Sequence, residues 1–73
     1  MIDKKDLKGK YITYIDKDSK TRTEKVIKVY SSYVTVRTVK TIKTLHRFPK
    51  TRVHKNKILG RQHRKSGREE IKW

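Results

Sequence analysis

Alanine is absent from this chain, while 27 of its 73 residues are Val, Ile, Thr, Tyr, Phe or Trp. Leu and Glu occur three times each, and Met and Gln once each, so the strong helix formers apart from Lys and Arg are nearly missing. β-Branched and aromatic side chains lose rotamer freedom against the preceding turn of a helix. They suit a pleated, half-buried surface instead. The chain therefore reads as a mostly-β domain. With 32% apolar residues, any core is small, and a domain of this size draws no more than ~3–5 kcal/mol from it. Low apolar content and high charge also describe disordered chains, but those are poor in the β-branched and aromatic types that dominate here.

The order of residues predicts short antiparallel strands. Tyr11 to Ile15 forms a first strand, and Asp16 to Lys20 a turn in which Asp and Ser bond the backbone locally. Arg22 to Tyr30 forms a second strand, in which Ile27 and Val29 have the opposite parity to Val26. Ser31-Ser32 is a short turn. From Tyr33 to Thr38 the alternation is clean, with Val34 and Val36 on one face and Tyr33, Thr35 and Arg37 on the other. Hairpin-length links make this an antiparallel meander. Thr38-Val39-Lys40, Thr41-Ile42-Lys43 and Thr44-Leu45-His46 then repeat at period three, which fits neither strand nor helix; a strand, a turn near Val39 to Thr41 and a strand from Ile42 to Phe48 is the simplest geometry. Pro49 interrupts the ladder. Thr51 to Leu59 fits either one helical turn or a closing strand. The expected organisation is a small β-barrel over residues 1–60 and a basic C-terminal tail over 61–73, with Ile71 and Trp73 able to dock back.

Four or five short strands in about fifty residues point to a small closed or half-closed barrel, because closure manages exposed edges. The layout resembles SH3-like small barrels, the group that includes KOW, Tudor-like and Hfq-like modules. The resemblance spans Lys8 to Leu59. It is carried by Lys8-Gly9-Lys10-Tyr11-Ile12 as an entry strand, Glu24 to Tyr30 and Tyr33 to Arg37 as a central hairpin, and Phe48-Pro49 leading into Thr51-Arg52-Val53. Thr21-Arg22-Thr23-Glu24 lacks the glycine that the KOW pattern places before its second strand.

Charge speaks to partners rather than to fold. Lys and Arg total 22 against 7 acidic residues, a formal net charge of +15. From Lys25 to Arg68 there is no acid, and that interval holds 14 Lys or Arg and all three His. Single-sign fields repel themselves, and structural surfaces usually mix both signs. Nucleic acid relieves the repulsion by releasing counterions when phosphates are neutralised. Arg, with a planar fork that bonds bidentately and stacks, suits this role, and six of the seven Arg come after Thr35. The candidate binding residues are Lys28, Tyr33, Arg37, Lys40, Lys43, Arg47, Arg52, Arg61 and Arg64. Each alone could be an ordinary exposed cation; together they form the footprint of a nucleic-acid binder, DNA or RNA. The tyrosines fall in two pairs, Tyr11/Tyr14 and Tyr30/Tyr33. Tyr33 is the one expected on the outer face with Arg37, offering its ring to a base.

Other chemistries find little support. No cysteine is present, so disulfides and Cys-based zinc sites are excluded. The spacing of His46, His54 and His63 does not suit a metal. Glu24 with His46 or His54 is the only visible acid–base set, nothing ties its members together, and no catalytic motif is present. No cofactor is expected. No run approaches the ~20 apolar residues of a membrane span, and no apolar signal-peptide core is present, so a cytoplasmic, non-catalytic protein is expected. The alternative is a small interaction module, of phage or plasmid type, that docks on an acidic surface of a host protein and modulates it.

Overall fold

A computed structural model describes residues 1–37, 50–65 and 67–73. The strands are β1 (Ile2–Asp3), β2 (Tyr11–Ile15), β3 (Thr21–Val29), β4 (Tyr33–Arg37), β5 (Lys50–His54), β6 (Ile58–His63), β7 (Gly67–Glu69) and β8 (Ile71–Lys72). Short 3-10 turns cover Lys4–Asp6 and Lys55–Lys57, and the described residues contain no α-helix. Six strands form one antiparallel sheet in the order β5-β4-β3-β2-β6-β7, and β1 pairs with β8 in a separate parallel ladder.

The chain enters β2 through a tight turn. The Lys10 N–H donates to the Leu7 carbonyl at 2.8 Å, and Gly9 takes φ +83°. That is the geometry of a type II turn, whose third residue favours glycine. The expected entry strand from Lys8 therefore starts later, at Tyr11. The turn drives Leu7 fully into the core. At the far end of β2, the Asp16 carboxylate accepts from the N–H groups of Asp18 and Lys20, both at 2.9 Å, which closes the β2–β3 turn.

The parity conflict in the second strand is resolved by a bulge. Val26 pairs with Val36, whereas Lys28 pairs with Thr35 and Val29 with Val34. Ile27 is the extra residue. A bulge sets two residues against one and re-aims the side chains beyond it, so Val26 and Val29 both turn toward the core although three positions apart. Leu7, Ile12, Tyr14, Val26, Val34, Val36 and Val53 form that core, and Ile2, Val29, Ile58, Ile71 and Trp73 pack around it. Val34 and Val36 are inward as expected, and Trp73 does dock back.

The sheet is strongly curled. β5 lies at one edge and β6 four strand positions away, a separation of about 19 Å in a flat sheet. Yet only the turn Lys55–Lys57 joins them, and three residues of 3-10 helix rise only about 6 Å. The two halves must therefore bend toward each other around the core. The sheet nevertheless stays open: of the expected closed or half-closed barrel, the closed form is not made among the described residues. Residues 51–59 combine both expectations, a strand and then one helical turn before the next strand.

The C-terminal residues are not a tail. β6 runs through Arg61, Gln62 and His63 and pairs with β2; β7 pairs with β6, and β8 with β1. The sequence signal misled because few apolar residues mark this segment. Backbone pairing and a polar network hold it instead: the Thr13 hydroxyl donates to Gln62 Oε1 at 3.0 Å and lies 3.0 Å from the Thr23 hydroxyl.

Candidate nucleic-acid interface

The outer face of β3, β4 and β5 gathers cations in rows set by strand register. Lys28, Thr35 and Arg52 lie side by side across the three strands. Tyr33 is opposite His54, and Arg37 opposite Lys50. Directly opposed residues share a face. Lys28 and Arg52 are two strand positions apart, about 10 Å, and Arg37 lies one two-residue repeat from Thr35, about 7 Å. Glu24, the only acid on these three strands, points the other way and is 6% exposed. These three strands therefore contribute no carboxylate to the outer face, because the inward register claims the only one.

At its centre is an aromatic stack. Ser31-Ser32 is a two-residue loop, and the Tyr30 N–H donates to the Tyr33 carbonyl at 2.9 Å. That closing pair sets both side chains on the outer face. Their ring centroids are 4.4 Å apart with planes inclined by 14°. Neither serine takes a positive φ, so the turn is not the type I′ form that best matches strand twist. The ring stack clamps the hairpin end. Arg52 lies over the Tyr33 ring at 4.9 Å, and the Lys28 ammonium 5.3 Å from the Tyr30 ring centroid. A charge over a ring face is attracted by the ring quadrupole, by about 0.5–1 kcal/mol at an exposed site. The rings thus hold Arg52 and Lys28 in place on the surface.

Of the candidate residues read from the sequence, Lys28, Tyr33, Arg37 and Arg52 come together here. Lys40, Lys43 and Arg47 lie outside the described residues. Arg61 does not join the face. It sits opposite Ile12 on β6 and is half-buried, with its guanidinium 3.5 Å from Glu69 and 3.1 Å from His63 Nε2. His63 Nε2 is also 2.7 Å from Glu69 Oε1, and the amino group of Met1 is 3.2 Å from Oε2. The His63 hydrogen bond, and after it the amino group of Met1, hold the Glu69 carboxyl below its usual range. Arg64 is exposed in the turn between β6 and β7, at the other end of the sheet. Tyr30, Lys50 and His54 are additions to the sequence-derived set. Two signals carry them: a two-residue loop makes Tyr30 the partner of Tyr33, and Lys50, Arg52 and His54 share one strand parity.

The Tyr33 ring, expected to offer a face to a base, stacks on Tyr30 and has the Arg52 guanidinium 4.9 Å from its centroid. Tyr14, of the other pair, is a core residue. It donates its hydroxyl to Glu24 Oε2 at 2.8 Å, and burial, then the Glu24 hydrogen bond, push its pKa well above the ordinary tyrosine value.

A cleft of about 480 Å³ opens between β5 and the β2–β3 hairpin, with Tyr14 and Glu24 in its lining and Arg22, Arg52, His54 and Lys57 around it. Glu24 and His54 both reach it, but their hydrogen bonds run elsewhere: Glu24 to Tyr14, and His54 Nδ1 to the Asn56 N–H at 3.3 Å. The wall residue Asp16 is ion-paired with Arg22, which holds its carboxyl below the usual range. Among the described residues no group of three or more His, Asp or Glu is placed to hold a metal ion, and no helix is long and apolar enough to cross a membrane. No family model, curated protein or solved structure matches this chain.

Proposed function

We propose that this protein is a non-catalytic, cytoplasmic nucleic-acid-binding protein that engages phosphates with the outer face of β3, β4 and β5. The observation that carries the reading is the carboxylate-free array of Lys28, Arg37, Lys50 and Arg52, two of whose cations are held by the Tyr30–Tyr33 stack. A flexible cation loses side-chain entropy when it grips a phosphate. One already ordered over a ring loses less, and preorganisation of this kind strengthens binding. The charge over Lys25 to Arg68 supplies the long-range attraction. The strand order β5-β4-β3-β2-β6, with a one-turn 3-10 helix between β5 and β6, supports an SH3-like layout.

The test is fluorescence anisotropy with labelled oligonucleotides of mixed sequence at low salt, comparing wild type with Arg37→Ala/Arg52→Ala. The double variant should bind at least tenfold more weakly while still folding cooperatively by circular dichroism, with a melting temperature lowered by no more than a few degrees. No binding by the wild type at low salt would end this reading. Partners that survive nuclease and high salt in a pull-down would favour docking on an acidic protein surface instead.

A further inference from the structure

Resting on that reading, we infer that the face is built for double-stranded rather than single-stranded nucleic acid. Proteins that hold single strands do so with open ring faces on which successive bases stack, each base contributing about 1–3 kcal/mol. Among the described residues this face has no row of open rings. The Tyr30 and Tyr33 rings are stacked with centroids 4.4 Å apart, which admits neither a base nor an ammonium between them. The Lys28 ammonium lies 5.3 Å from the Tyr30 centroid and the Arg52 guanidinium 4.9 Å from the Tyr33 centroid. A base stacking on either ring competes with these cations, and displacing one gives up a cation–π contact and unseats a charge the phosphates need. Tyr11 is 51% exposed on β2, but one ring on a different strand does not continue the stack.

With stacking closed off, affinity tracks phosphate density. A duplex carries one charge per roughly 1.7 Å of axis against 3.4 Å for each strand alone, and each neutralised phosphate releases more counterion from a duplex than from a single strand. Cation rows about 7 Å apart along the strands and about 10 Å across them are broad enough to meet the two backbones of a double helix. The same array would leave part of its charge unused on one backbone.

The experiment compares a 20-base-pair DNA duplex, an RNA duplex of equal length and the single strand dT20, all at one salt concentration. Wild type, Tyr33→Leu, Tyr33→Phe and Tyr11→Leu are tested after circular dichroism confirms folding. The expected result is binding to one or both duplexes at least tenfold tighter than to dT20. Tyr33→Leu should weaken duplex binding about threefold by releasing Arg52, with rescue in Tyr33→Phe, and dT20 binding should stay within twofold in all variants. Equal or tighter binding of dT20, or a tenfold loss on dT20 in either Leu variant, would overturn the duplex preference while leaving nucleic-acid binding intact. Failure to bind all three probes would overturn the proposed function itself, and the preference with it.

Discussion

The Tyr14 hydroxyl donates to Glu24 across the β2–β3 pair, and both side chains are buried in a protein with only seven buried hydrophobic residues among those described. A carboxylate taken out of water is costly unless its hydrogen bonds are supplied. Here the inward register of β3 buries it and the neighbouring strand provides the donor. Tyr14→Phe keeps the ring and removes the donor, so it should destabilise the fold by about 1–3 kcal/mol. Urea denaturation monitored by Trp73 fluorescence measures this. Glu24→Gln also loses the charge and should cost less than Tyr14→Phe.

The two faces of β4 should separate stability from binding. Val36 is fully buried against Val26, and truncation to Ala removes two methylene equivalents and leaves a void, about 2 kcal/mol. Arg37 is exposed on the opposite face. Val36→Ala should therefore lower the melting temperature and leave the affinity of the folded protein unchanged. Arg37→Ala should lower affinity and leave the melting temperature within a degree or two. Differential scanning fluorimetry and anisotropy on the same preparations decide.

Gly60 lies where β7 approaches β6. A Cβ built there would sit 2.7 Å from the Glu69 carbonyl oxygen, inside van der Waals contact with backbone that cannot swing away. Gly60→Ala should therefore part β7 from β6 and destabilise the protein. Gly9→Ala meets no neighbour but is held at φ +83°, a strain of about 1–2 kcal/mol. Hydrogen exchange should show lost protection at 67–69 in the first variant and not in the second.

Strand identity was legible in the sequence wherever apolar residues alternate, as at Val34 and Val36. It was misleading where the backbone rather than the side chains decides. The parity break between Val26 and Val29 marks a bulge, yet the same break also fits a strand end, and only the pairing with Thr35 distinguishes them. β6 and β7 bury little beyond Gly60, so hydropathy gave no sign of them. The cationic face was legible as an acid-free interval, but its composition was not. Arg61 belongs to that interval by sequence and to Glu69 by structure, because pleat direction cannot be read from charge.

Acid should loosen the C-terminal ladder. Glu69 and Asp16 are both held below their usual carboxylate range by their partners. A carboxyl whose folded pKa is depressed contributes stability that is present above its unfolded value, about 4. That contribution is lost as pH falls through the folded value. Glu69→Gln removes the ionisable partner of His63, Arg61 and the amino terminus. Urea midpoints of wild type and Glu69→Gln should differ at pH 7 and converge as the pH drops below 4. Curves that stay parallel to the lowest pH would show that the carboxylate contributes nothing to the fold.

Salt dependence tests how many phosphates the face meets. Each phosphate neutralised on duplex DNA contributes about −0.9 to the slope of log affinity against log salt. The four cations Lys28, Arg37, Lys50 and Arg52 share the face by register, and one further contact from the exposed basic residues would bring the slope near −4.5. If Arg52 grips one phosphate directly, Arg52→Ala should flatten the slope by about 0.9. Tyr33→Leu leaves the charge count unchanged and frees only the guanidinium, so it should weaken binding while keeping the wild-type slope. A titration over 50–300 mM salt separates the two effects. A slope that flattens equally in both variants would mean that Arg52 reaches its phosphate only while the Tyr33 ring holds it.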